Sequence, residues 1–177
     1  MEREELLDKQ NKMLICLTNL PKKILSLHGA ENVTEFVLHD LCNECCFNLS
    51  RAAYFVDNPD FNCTKGIAGF SRDEIRDKCS GIWDNPEAFS KCMQGSSFNQ
   101  KVRGISEISL KMAGYDHDTL AKKLAEDLGF KHYTYCSWGM KHDNNGFVIF
   151  EKAHPDDTFA DEHVLSGVTL LSFCPIF

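Results

Sequence analysis

Residues Gly146 to Leu165 read GFVIFEKAHPDDTFADEHVL, and the period of the apolar residues changes partway through. Phe147 to Phe150 form a short apolar run of the kind that makes a strand. Pro155, Asp156 and Asp157 then interrupt it with an acidic turn. Thr158 is placed to cap a following helix, with Asp161 at its third position and Val164, Leu165, Val168 and Leu171 on its buried stripe. A strand, an acidic turn and an amphipathic helix mean that a sheet ends here and that a helix packs on or beside it.

Upstream of this stretch, FKHYTYCSWGM (130–140) is rich in aromatic residues that suit a pleated surface. Between the two runs lies His142-Asp143-Asn144-Asn145-Gly146, whose Asn-Gly pair signals a tight hairpin turn. A helix over 116–128 precedes this hairpin, with Leu120, Leu124 and Leu128 on one face, Asp116 or Asp118 as cap and Gly129 as its left-handed stop. An earlier hairpin is predicted from Phe47 to Val56 and Lys65 to Phe70, turning at Asp57-Asn58-Pro59-Asp60. From Ser71 to Tyr115 the pattern weakens to short helices near 73–78 and 86–93 and a strand near 102–110. Segments of this length often wall a ligand pocket. A helix over 31–44 carries Val33, Phe36, Val37 and Leu41 on one face, with Asn32 as a possible cap. At the N-terminus Leu6, Met13, Leu17, Leu20, Ile24 and Leu27 hold one helical seam. Pro21 implies a kink or restart there, and the seam suits either packing within the chain or pairing with a second copy.

The 177 residues, 43% of them hydrophobic, suffice for one buried core. The expected organisation is an N-terminal helix over 1–29, used in signalling or dimerisation, and a domain over 30–177. A net charge of -7 argues against nucleic acid, whose phosphates demand a basic surface. No run of about 18 apolar residues is present to span a bilayer, and MEREELLDKQ is too charged for a signal peptide. A cytoplasmic protein is expected. Nine cysteines, an odd number spread among apolar neighbours, are expected to be free thiols in a reducing compartment. The triplets starting at Asn32, Asn48 and Asn62 match glycosylation acceptors by chance on that view.

The order of elements, together with GFVIFE (146–151) and Phe159-Ala160-Asp161-Glu162, resembles the GAF family of small-molecule sensory domains over about residues 30–173. The resemblance implies an α+β fold of the GAF and PAS kind, with a central antiparallel sheet and helices packed on one face. It further implies a small-molecule ligand, or a cofactor of unknown identity, between the sheet and the 71–115 segment, and a homodimer formed through terminal helices. No motif of the family's cyclic-nucleotide-binding members is matched, and no Cys-His dipeptide is present to tether a bilin. Cys63, Cys79 and Cys92 raise the alternative of a thiol-based redox enzyme or sensor, like the family's free methionine sulfoxide reductase, although they do not align with its cysteines.

Among the residues themselves, His39-x-x-Cys42-x-x-Cys45-Cys46 is the densest cluster. His39, Cys42 and Cys46 would share one face of a continuing helix, and imidazole with thiolates suits zinc or haem iron. Their apolar neighbours equally suit a core. His132, Thr134, Cys136 and Trp138 alternate onto one face of the predicted strand and are candidates, with Tyr54, Trp83 and Phe89, to line an apolar pocket with polar handles. Ordinary core packing explains the same residues. Cys79-Ser80-Gly81 and Ser137-Trp138-Gly139 lack the Gly-flanked pattern of an activated nucleophile, so no catalytic residue is assigned. The carboxylates at 156–162 are explained by helix capping.

Overall fold

The computed structural model describes residues 2–27, 29–75, 81–157 and 159–176. In chain order the elements are α1 (Glu2–Ser26), α2 (Val33–Cys42), β1 (Leu49–Asn58), β2 (Cys63–Ser71), α3 (Arg72–Ile75), α4 (Pro86–Gln94), α5 (Ser97–Arg103), β3 (Ser106–Glu107), α6 (Leu110–Ala113), α7 (His117–Leu128), β4 (Tyr133–Gly139), β5 (Asn145–Lys152) and α8 (Asp161–Thr169). The two hairpins join through β1 and β5 into one five-stranded antiparallel sheet of order β3-β2-β1-β5-β4. Tyr54 stands opposite Val148 in that central pair. The α+β architecture with a central antiparallel sheet is therefore the one the sequence implies.

Alternation along the two central strands sorts the core into two layers. On one face Ala52, Tyr54, Val148 and Phe150 meet Met13, Leu20 and Ile24 of α1, Phe36 and Leu41 of α2, and Val164 and Val168 of α8. On the other face Ala53, Phe55, Phe147 and Ile149 meet Phe98 and Val102 of α5 and Leu120, Leu124 and Leu128 of α7. Helices thus cover both faces, and the side expected to hold an open hollow is filled by apolar packing. Arg51 closes this layer's rim. Its guanidinium donates to Glu151 at 2.7 Å and to the Gly129 carbonyl at 2.9 Å, and lies 4.5 Å from the centre of the Phe130 ring.

The start and stop signals of α7 act as read: the Asp116 side chain accepts from the Thr119 amide, and Gly129 ends the helix with φ +70. Several other expectations are corrected. α1 runs on through Pro21 without a break, because the burial of Leu20 and Ile24 on the same core outweighs the missing backbone bond. Its seam therefore serves the chain's own interior, with Leu6 left exposed. The strand near 102–110 is replaced by α5 and a two-residue β3; Ser96 caps α5 by accepting from the Asn99 amide. Leu165, expected on the buried stripe of α8, is 42% exposed. The Thr158 cap lies outside the described residues.

The hairpin between β4 and β5 turns three residues earlier than the Asn145-Gly146 pair. Lys141 and Asn144 close the turn, and His142 and Asp143 occupy its left-handed centre with φ 60 and 57. Gly146 instead lies within β5 opposite Trp138, and a methyl there would overlap the indole, reaching 2.9 Å from its Nε1 and nearer its ring carbons. The glycine permits close packing of a large ring on the sheet.

Candidate functional site

The six residues expected to line a pocket fall in three places. Tyr54 and Trp138 stack with ring centres 5.9 Å apart and an interplanar angle of 7°, beside Cys136 on the α1/α2/α8 face. Trp138 Nε1 donates to Ser172 Oγ at 2.7 Å, and the Tyr54 hydroxyl donates to the Met140 sulfur at 3.8 Å. Trp83 and Phe89 instead flank Phe36, at 5.1 and 4.4 Å between centres. Tyr54 and Phe89 are completely buried. His132 precedes β4 and is exposed; its backbone amide donates to Glu151 Oε1. Apart from His132, the residues form parts of a packed interior, and their aromatic richness is accounted for by mutual contact.

The proposed metal set is not assembled either. His39 and Cys42 border a hollow of about 290 Å³ shared with the Arg72 guanidinium, a poor neighbour for a cation, whereas Cys46 borders a different groove with Met13 and His163. α2 ends at Cys42, so Cys46 does not continue its face. Burial pushes the Cys42 thiol well up from its ordinary value, opposing the thiolate a metal needs. Among the described residues, no three His, Cys, Asp or Glu side chains are grouped to hold a metal ion.

What His39 does contact is Asp40, a buried carboxylate that ties three segments together. Asp40 accepts from Lys23 Nζ of α1 at 2.7 Å and from Trp83 Nε1 at 3.0 Å, with His39 Nδ1 also at 3.0 Å. Lys23 lies 5.0 Å over the Trp83 ring as well. Burial alone would raise the Asp40 carboxyl, but the groups of His39, Lys23 and Trp83 together hold it below the ordinary carboxylate range.

A broad open concavity lies at the end of the sheet. It has a volume of about 570 Å³ and is bordered by Asp57, Asp60, Leu110, Lys111, Tyr115, Asp116, His117, Asp143 and Asn145. Three pieces of chain meet there: the β1–β2 turn, the α6–α7 segment and the β4–β5 turn. Asp57 pins them, its Oδ1 accepting from Thr64 Oγ1 at 2.6 Å and from the Leu110 amide at 3.1 Å. His117 meets Ser137 Oγ through Nδ1 at 3.4 Å and lies 6.3 Å from the Phe147 ring. Four carboxylates against one lysine and one histidine give the cleft a negative character. None of the six expected pocket residues borders it. The turn residues Asp57 and Asp60 and the αL pair at 142–143 were the available signals, hidden because turns are read as punctuation.

Of the cysteines proposed for thiol chemistry, the two described ones lie on separate elements. Cys63 begins β2 against Ser106 Oγ at 3.2 Å, Cys92 lies on α4, and Cys79 is outside the described residues.

No family model matches this chain, and no curated protein does. Among solved structures, it is similar to the GAF domain of a phosphoenolpyruvate-protein phosphotransferase from Coxiella burnetii. The identity is 13%, the alignment covers 90% of this chain and 88% of that one, and the TM-score is 0.49.

Proposed function

We propose that this chain is a sensory domain of the GAF type that binds a small molecule in the cleft at the end of its sheet. The cleft carries the reading: its volume of about 570 Å³ lies within the 300–1,000 Å³ range of small-molecule sites. Its carboxylates favour a ligand with amine, guanidinium or other hydrogen-bond-donating groups, and the Tyr115 and His117 rings supply flat apolar contact. A bound molecule would bridge the α6–α7 segment to both hairpin turns. It would shift the domain between states only through a difference in affinity for them. The test is a thermal-shift screen of polyamines, amino acids and nucleosides. A ligand at one hundred times its Kd adds about 2.7 kcal/mol, roughly 5–10 °C for a chain of this size. The shift should vanish in Tyr115→Ala/Asp143→Ala. The reading fails if no class raises Tm or if the double variant responds unchanged.

Pairing of two copies through the terminal helices belongs to the same proposal. Leu7, Leu14 and Leu25 repeat along the outer face of α1, and Leu165, Phe173 and Ile176 are also exposed. Light scattering on a size-exclusion column checks this; a dimer that Leu14→Glu dissociates supports it, and a monomer at 100 μM, used here as a concentration on the order of weak-dimer Kd values, refutes it. Among the described residues no helix is long and apolar enough to cross a membrane, and action in the cytoplasm is part of the proposal.

A further inference from the structure

Large apolar side chains left in water are unevenly spread over this domain. Outside α1 and the stretch from α8 onward, the exposed ones among the described residues are Phe61, Ile108, Met112, Tyr115 and Tyr133. All but Tyr133 stand where the β1–β2 turn meets the segment from β3 to α7. Hydrogen bonds fix that junction: Ser109 Oγ donates to Asn62 Oδ1 at 3.2 Å, and the Leu110 amide donates to Asp57 Oδ1 at 3.1 Å. Phe61 and Ile108 are the chain neighbours of the Asn62 and Ser109 pair. Phe61 sits in a held turn, where the Asn58 side chain accepts from the Asp60 and Phe61 amides at 3.0 and 3.2 Å, yet it is 80% exposed. Met112 lies on α6 and is 67% exposed; Gly114 then turns the chain with φ +67 to Tyr115. The adjoining rim is acidic. Asp60, Asp116 and Asp143 are exposed and border the cleft beside Lys111, while Glu107 is already paired with Lys123 at 2.6 Å.

We infer that this end of the sheet docks a basic amphipathic segment of another protein. The apolar side chains of that segment cover Phe61, Ile108 and Met112, and its lysines or arginines meet Asp60, Asp116 and Asp143. Exposed apolar side chains gathered at one place and rimmed by polar groups mark contact surfaces. Phenylalanine, tyrosine and methionine are among the types that protein interfaces favour, methionine because it adapts to the shape of its partner. The charges choose the occupant. An anionic lipid surface attracts basic segments and is repelled by these carboxylates. A second copy seated on the same patch sets the acidic rims against each other, a like-charge contact that disfavours pairing. A cationic peptide satisfies both the apolar and the acidic parts. Phe61, Ile108 and Met112 are not among the residues bordering the cleft, so docking does not depend on a small molecule bound there.

The test is the fluorescence anisotropy of a labelled model peptide that places leucines and lysines on opposite faces of a helix, with a leucine and glutamate peptide of the same pattern as control. The full chain should bind the lysine peptide and leave the glutamate peptide free. Binding should weaken by about fivefold or more as salt rises from about 50 to about 500 mM, because the charges involved are exposed. Phe61→Ser/Met112→Ser should weaken it by about tenfold or more. Tm should stay as in the wild type, since both side chains are exposed. Leu14→Ser, which removes an exposed apolar side chain of α1 instead, should leave binding unchanged. Equal binding of the two peptides, full affinity in the double variant, or the same loss in Leu14→Ser would overturn the inference. So would phosphatidylserine vesicles that bind the wild type and not the double variant, or a dimer that the double variant dissociates.

Discussion

Gly146→Ala tests the packing of the most crowded ring in the sheet. The added methyl would overlap the Trp138 indole, which is held from the other side by Tyr54 and by the bond to Ser172 Oγ. The indole must shift. Overpacking of this kind costs about 1–3 kcal/mol, and weakening the Ser172 hydrogen bond adds about 1 kcal/mol. The expected loss is about 3 kcal/mol, or roughly 6–12 °C in Tm at this chain length. Urea titration followed by circular dichroism measures it. Gly139→Ala is the control, since nothing lies within 4 Å of a methyl there and it stands on the neighbouring strand opposite Asn145; it should stay within about 0.5 kcal/mol of wild type.

The two explanations of Gly146 separate in a double-mutant cycle. Positive φ among the described glycines occurs at Gly29, Gly81, Gly114 and Gly129, and Gly146 is not one of them. If the clash with Trp138 is the cause, Gly146→Ala should cost under about 0.5 kcal/mol in a Trp138→Ala background, a coupling of roughly 2–3 kcal/mol. A penalty that persists there, or none in the wild type, refutes the reasoning.

Asp40→Asn should destabilise by about 3 kcal/mol at neutral pH, since it strands Lys23 and Trp83 around a lost charge. Because the folded carboxyl titrates below its unfolded value, the wild-type advantage is complete above about pH 4 and fades as pH falls through the folded value; urea midpoints at several pH values check this. Glu35 has the opposite sign: burial raises its carboxyl although Arg103 donates to it at 3.2 Å. Glu35→Gln should therefore gain stability relative to wild type as pH rises from about 4 through the raised folded value and then hold level, and parallel pH profiles would count against it. Gly66→Ala would drive a methyl into the Val102 carbonyl of α5, which as backbone cannot rotate away; a loss above about 3 kcal/mol or failure to fold is expected, measured by soluble yield and circular dichroism.

Elements with local causes were legible. α7 is set by Asp116, three leucines and Gly129, all within its own turns, and the structure places it as read. The alternation that puts Cys136 and Trp138 on one face of β4 and Tyr135 on the other also holds. Elements with distant causes were not. α5 depends on Ser96 for its cap and on Glu74, which accepts from Ser97 Oγ and the Phe98 amide from another segment. The Asn145-Gly146 pair carried the local sequence of a turn, yet Trp138 across the ladder decides the use of that glycine. For the candidate site, residue chemistry pointed to aromatic and sulfur-bearing side chains, and those are the types that a core absorbs first.

The position of the cleft follows from a signal present in both central strands. Ala52 to Asp57 and Gly146 to Phe150 are buried without alternation. A strand buried at every position has both faces covered, whereas a strand bordering an open hollow keeps polar or small residues on that side. In AAYFV (52–56) and GFVIF (146–150) no side is relieved of bulk: Tyr54 and Val148 fill one layer, Phe55 and Phe147 the other. The middle of this sheet is thereby closed to a ligand from above and below. Openings remain where the strands run out, among them the one at the turns following Asn58 and preceding Asn145, where the Asp57 carboxylate gathers the Leu110 amide into the rim of the cleft. Enlarging the interior, as in Phe147→Ala, should therefore open a cavity beside His117 that joins the cleft, while the same truncation at Phe36 on the opposite layer should not.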